Sequence, residues 1–168
     1  MEVQVCLQAR RSIRKFTDEA VSGEQIDALL HAAMSGPSAC NARPWAFYVV
    51  TNPEALEKLR AATPYTRMRA PLAIVVCGDQ TRTLPDERAQ FWIQDCSAAT
   101  ENILLAATDL GLGTVWCGIH PKKEAEDNVR AALALPGTMI PLNIIYAGHP
   151  AEQHCARDQY DEKCVHFV

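Results

Sequence analysis

The chain has 168 residues, 48% hydrophobic and 21% charged. That is enough for one well-buried core and too little for two comfortable domains, so a single domain over residues 1–168 is expected. A formal charge of −4 argues against nucleic acid as the main partner, because binding a phosphate backbone needs a broad basic face. The first residues lack the basic-then-apolar layout of a secretory signal, and no apolar run approaches the ~20 residues that cross a bilayer. A soluble, cytoplasmic protein without a membrane partner is expected.

Residues 3–10 read as a short first helix. It runs into Arg10-Arg11-Ser12-Ile13-Arg14-Lys15-Phe16, a dense cationic cluster in an acidic chain. The next helix is better marked: Ser22 is an N-cap with Gln25 three residues on, and Ile26, Leu29, Leu30 and Ala33 follow at helical spacing. It ends at Ser35-Gly36-Pro37. Residues 46–51, β-branched and aromatic between prolines, predict a buried strand, and Pro53 then opens a short helix. Residues 71–79 are apolar on both faces and predict a central, covered strand.

From Glu87 to Leu110 the apolar positions Phe91, Ile93, Cys96, Ala99, Ile103, Leu104, Ala107 and Leu110 describe a long helix with a wide non-polar face, suited to the core or a subunit interface. Gly111 and Gly113 stop it, and residues 114–119 form a short strand. Pro121 is expected to open another helix to about Leu133, and residues 140–148 are the last strand. The tail from Pro150 is polar but carries Tyr160, Val165, Phe167 and Val168, an extended piece able to add an edge strand to a sheet, on this or another subunit.

Seven cysteines without C-x-x-C spacing read as reduced thiols rather than a disulfide framework. His149, His154, Cys155, Cys164 and His166 lack the tight spacing of a structural zinc motif, and no metal is expected.

Three segments carry chemistry. Arginine presents a planar fork of donors matched to phosphate oxygens, and serine adds a short donor of different reach. In an extended segment Arg10, Ser12 and Arg14 point to one side while Arg11 and Ile13 face the other; the alternative is a solvated basic helix end. The loop from Gly36 to Trp45 combines an abrupt turn with the small polar groups of Ser38 and Asn41, as a ligand edge or as a plain connection. In residues 111–119, Gly118 lets backbone approach a flat ligand closely, beside Trp116 and Cys117. The pattern is not a dinucleotide fingerprint, since Trp116 stands where a third glycine is required and a strand follows. Tyr65, Arg67 and Arg69 are candidates for substrate contact or an ordinary exposed loop.

In order and spacing these segments resemble the nitroreductase family of FMN-dependent enzymes, nearly from end to end, and Gly148-His149-Pro150 with residues 161–167 is similar to the close of its short members. With the mixed helix and strand pattern, the resemblance implies an α+β fold, a central, mostly antiparallel sheet flanked by helices, to which the extended tail is able to add a strand on the partner subunit. It implies that Arg10, Arg11, Ser12 and Arg14 hold FMN, Arg10 and Ser12 at the phosphate and Arg14 near the pyrimidine side of the ring. Trp116, Cys117 and Gly118 would lie along the isoalloxazine, with a backbone N–H near the nitrogen that accepts hydride, and Arg157 would be a further phosphate ligand. Pro37, Ser38, Ala39 and Asn41 would reach the flavin from the partner, which implies an obligate homodimer with sites at the interface. Arg43 stands where many members carry glutamine.

The implied activity is hydride transfer from NADH or NADPH to FMN and on to a small-molecule acceptor, a nitro compound, quinone or relative. No side chain is assigned as a catalytic acid, base or nucleophile. The rivals are a non-enzymatic flavin or nucleotide carrier or sensor, and an interaction module whose basic cluster meets an acidic protein or nucleic acid.

Overall fold

Capping chemistry sets the helix starts. The computed structural model describes residues 1–168 and contains five α-helices: α1 Val3–Ala9, α2 Gly23–Met34, α3 Pro53–Ala61, α4 Trp92–Asp109 and α5 Lys123–Leu133. Ahead of α2, Ser22 Oγ accepts from the Gln25 N–H at 3.1 Å while the Gln25 side chain accepts from the Ser22 N–H at 3.0 Å, the reciprocal box the sequence predicts. For α3, Asn52 Oδ1 accepts from the N–H groups of Glu54 and Ala55, with Pro53 filling a position whose N–H needs no partner.

Four strands, β1 Trp45–Val50, β2 Leu72–Asp79, β3 Gly113–Gly118 and β4 Met139–Gly148, form one sheet in the order β1-β2-β4-β3. Every neighbouring pair is antiparallel, as expected for the fold. β2 is buried along almost its whole length because both of its faces are covered. Leu72, Ile74 and Val76 pack toward α2 and α4, while Ala73, Val75 and Cys77 pack toward α3 and α5.

The β2–β4 register shifts between Val76 and Cys77, which pair with Asn143 and Pro141. Leu142 is therefore an extra residue, a β-bulge that releases its carbonyl from the ladder. That carbonyl accepts from the N–H groups of Ile119 and His120 at 3.0 and 3.1 Å. The bulge thus fixes the chain just beyond β3.

Two helix starts differ from expectation. The long helix begins at Trp92, not near Glu87, because Asp86 takes a left-handed φ of 60° after an extended Pro85, and residues Asp86–Phe91 form a 3₁₀ turn. Its predicted end residues Phe91 and Leu110 are exposed. The next helix begins at Lys123 rather than Pro121, since the Lys122 N–H closes a turn onto the Ile119 carbonyl at 3.0 Å before helical bonding starts. Beyond Pro150 the single chain forms no strand, only a 3₁₀ turn at Glu162–Cys164, and Phe167 and Val168 stand in solvent. No helix is long and apolar enough to cross a membrane.

Candidate functional site

The arginine segment is an extended strap, not a helix end. The Ile13 N–H donates to the Thr114 carbonyl at 2.8 Å, making Ser12 and Thr114 parallel bridge partners beside β3. Ile13 is buried, as the alternation predicts. Its side chain lies where Gly113 has none: a Cβ on Gly113 would stand 2.7 Å from Ile13 Cγ2.

On its other side the strap is tied to the C-terminal segment. Glu152 Oε1 accepts from the N–H groups of Arg14 at 2.7 Å and Lys15 at 3.3 Å, and the Ala151 N–H donates to the Lys15 carbonyl at 2.9 Å. The Arg14 N–H above all, aided by His154, holds Glu152 below the usual carboxylate range. A depressed carboxylate stabilises the folded state above its unfolded pKa, and that hold is lost as the pH falls through its folded one. Acid therefore loosens the strap.

Arg10, Arg11, Ser12, Arg14 and Arg157 line one cleft of about 600 Å³, with Asp158 its one carboxylate. Arg157 arrives there because its N–H donates to the Gln8 carbonyl at 3.0 Å. Arg11 also reaches this cleft, contrary to strict alternation; its long side chain turns to donate to the Cys155 carbonyl at 2.5 Å. Arg10 shares its guanidinium with Glu101 at 3.2 Å. The Arg14 guanidinium makes no hydrogen bond within the protein.

A second cavity of about 550 Å³ adjoins the first through Arg14, which lines both. Its wall is β3 from Val115 to Gly118, continuing through Ile119 and His120, with Tyr65, Met68 and Lys122 opposite. No carboxylate lines it. Since the Thr114 carbonyl faces outward to Ile13, strand alternation turns the N–H and C=O of Trp116 and Gly118 to the same outer edge, away from β4. A Cβ on Gly118 would meet nothing within 4 Å, so glycine there keeps open the space in front of the strand.

The donor set fits a flavin mononucleotide: several cations and a hydroxyl for the phosphate, then a flatter apolar wall with outward N–H groups for the ring. Pro37, Ser38, Ala39 and Asn41 line neither cavity. Their loop is instead tied beside α4, where the buried Asp95 carboxylate accepts from the Ala39 N–H at 2.9 Å and Ser38 Oγ accepts from the Arg43 N–H at 3.0 Å. Cys40, Asn41 and Arg43 all take left-handed φ values, so the loop has a definite shape of its own. Tyr65 lines the second cavity, whereas Arg69 lies at a separate pocket near α3. The sequence pattern does not single out His120 and Lys122, for which proximity to Gly118 is the signal.

Cys117 Sγ points to the Tyr65 carbonyl at 3.6 Å, and burial pushes its thiol up to about 11 despite the nearby Arg14. A protonated thiol is a poor nucleophile. Burial likewise raises Cys77 to about 12. Alkylation at pH 8 is expected to spare Cys77 and Cys117 while modifying exposed Cys155 and Cys164, as peptide mapping would read. Cys117→Ala is expected to retain reduction of bound flavin; its loss with flavin still bound would show that the sulfur takes part. No group of three or more His, Cys, Asp or Glu is placed to hold a metal ion.

The profile of the nitroreductase family matches residues 7–64 and 65–149. A Methanothermobacter thermautotrophicus protein provisionally named NADH dehydrogenase/NAD(P)H nitroreductase is 45% identical, over 99% of this chain and 87% of its own. An FMN-dependent nitroreductase from Clostridium difficile superposes with a TM-score of 0.89 at 33% identity, covering 98% of both chains. A provisionally named nitroreductase of Desulfovibrio desulfuricans, solved with FMN, gives 0.83 at 33% identity over 100% of this chain and 98% of that one. With this agreement in sequence and in overall fold, the chain belongs to the nitroreductase family.

Proposed function

We propose that the protein is an FMN-dependent oxidoreductase in which NADH or NADPH reduces bound flavin and a small acceptor, a nitro compound, a quinone or a relative, takes the electrons in the same cleft. The observation that carries this reading is Arg14, whose guanidinium has no partner in the protein and stands where a four-arginine cleft meets the β3-walled cavity. Arg10, Ser12 and Arg157 would hold the phosphate with Arg11, and Trp116, Cys117 and Gly118 the ring. Bound FMN supplies the two-electron exchange between nicotinamide and acceptor. Arg14 would stabilise the negative charge that reduction places on the ring.

We also propose a homodimer that completes each site with the partner's loop of Pro37, Ser38, Ala39 and Asn41. Two facts support it. The loop is folded and lines neither cavity of its own chain, and large apolar side chains are exposed on α1 at Val3, Val5 and Leu7 and in the tail at Tyr160 and Phe167, material suited to an interface.

The test is the visible spectrum of the purified protein under anaerobic conditions, before and after NADPH, then NADH. A bound flavin spectrum that bleaches supports the enzyme. A flavin that neither nucleotide bleaches moves the reading to a carrier, and a protein that cannot be loaded with FMN removes it. Sedimentation of the loaded protein as a monomer would overturn the shared site.

A further inference from the structure

Reducing a quinone to a hydroquinone takes two electrons and two protons. A hydride carries both electrons and one proton, so the second proton needs a donor in the cleft. Resting on the flavoenzyme reading above, we propose that His120, held by Glu126, is that donor.

His120 lines the β3-walled cavity with Arg14, Cys117 and Gly118. Its Nδ1 lies 2.7 Å from Oε1 of Glu126, a carboxylate almost wholly buried at the start of α5. A buried carboxylate needs a hydrogen-bonded partner, and the His120 ring is the one that Glu126 has. The ring is further fixed edge-on to Trp92, with centroids 5.0 Å apart, and its backbone N–H is held by the bulged Leu142 carbonyl. No protein group bonds Nε2. An imidazole oriented through one nitrogen by a carboxylate leaves the other free for proton transfer.

The other groups on this cavity are less suited. Arg14 is committed to the ring's negative charge in the reading above, and Lys122 lies over Tyr65 at the rim. The Cys117 thiol is turned to the Tyr65 carbonyl. Tyr65 stands at the exposed rim with Lys122 Nζ 4.5 Å from its ring centroid.

In the proposed step the Nε2–H bond of imidazolium His120 breaks and an O–H bond forms on the acceptor oxygen. The hydride from NAD(P)H, delivered by way of the cofactor, completes the hydroquinone. His120 is left as neutral imidazole with Nδ1–H still donated to Glu126, and a proton from bulk solvent (hydronium or buffer acid) restores Nε2–H.

The experiment follows reoxidation of the chemically reduced holoenzyme by stopped flow with two acceptors, a benzoquinone and ferricyanide. Ferricyanide takes single electrons and no proton. In His120→Gln and His120→Asn the quinone rate is expected to fall by roughly 10²-fold or more, with the ferricyanide rate held within about twofold. Equal losses with both acceptors, or no loss with either, overturns the proposal. A flavin-free measurement stands beside it: ¹⁵N imidazole spectra should find neutral His120 protonated at Nδ1, and mixed tautomers in Glu126→Leu. Neutral His120 protonated at Nε2 in the unmutated protein would also overturn it. If NADH and NADPH fail to bleach the unmutated holoenzyme, the flavoenzyme reading fails, an outcome separate from any result on the His120 variants.

Discussion

Alanine at both Arg10 and Arg14 is expected to weaken FMN binding by roughly 10²–10⁴-fold, since each charge-assisted hydrogen bond to phosphate or ring is worth about 1.5–3 kcal/mol. The fold should barely respond. Arg10 meets Glu101 in a partly exposed pair, which contributes about 0–1 kcal/mol, and the Arg14 guanidinium bonds nothing within the protein. Quenching of flavin fluorescence on titration gives the affinity, and thermal melting of the flavin-free protein gives the stability. The Arg14→Ala single variant, loaded at high FMN, should show a lower flavin reduction potential, because the anionic reduced ring loses a cation. Unchanged affinity in the double variant would place the phosphate elsewhere. An unchanged potential in the single one would remove the role given to Arg14.

The second large effect is expected at Gly113, which carries no functional group. A methyl there would lie 2.7 Å from Cγ2 and 2.8 Å from Cβ of Ile13. Cβ is fixed to the backbone, so the strap itself must move, and overpacking of this kind costs about 1–3 kcal/mol. The movement would strain the 2.8 Å bond from the Ile13 N–H to the Thr114 carbonyl and displace Ser12 and Arg14. Gly113→Ala is therefore expected to lower the melting temperature of the flavin-free protein and to weaken FMN binding together, without removing a single ligand. Gly118→Ala provides the contrast. Its Cβ meets no protein atom, so stability should hold while FMN affinity falls, because the methyl enters the space in front of the strand. A Gly118→Ala protein that binds FMN normally would mean that the ring does not approach this backbone closely.

The two glycines that follow α4, Gly111 and Gly113, mark the boundary between what is legible in the sequence and what is not. Local spacing reads both Gly111 and Gly113 as helix stops. Gly111 does serve as one, at φ +73°, where a side chain is disfavoured. Gly113 has a different reason, contact with a residue 100 positions earlier in the chain, which no local pattern encodes. Similarly, the capping box of Ser22 and Gln25 could be read directly because both partners lie within one turn. The delayed start of α4 has no local signal, because nothing in the residue types around Asp86 demands its left-handed φ.

Elements whose causes are local or periodic follow from the amino-acid order: the caps of α2 and α3, the doubly apolar β2, the wide non-polar face of α4, and the run of arginines around Ser12. That order also carries the family resemblance. How these parts meet depends on long-range contacts. Pairing of the strap with Thr114, and of Arg157 with Gln8, brings cations from both ends of the chain into one cleft. A bulge at Leu142 holds His120 against Glu126 beside it. Such contacts join residues far apart in sequence, and burial and backbone hydrogen bonding select them only once the whole sheet is assembled.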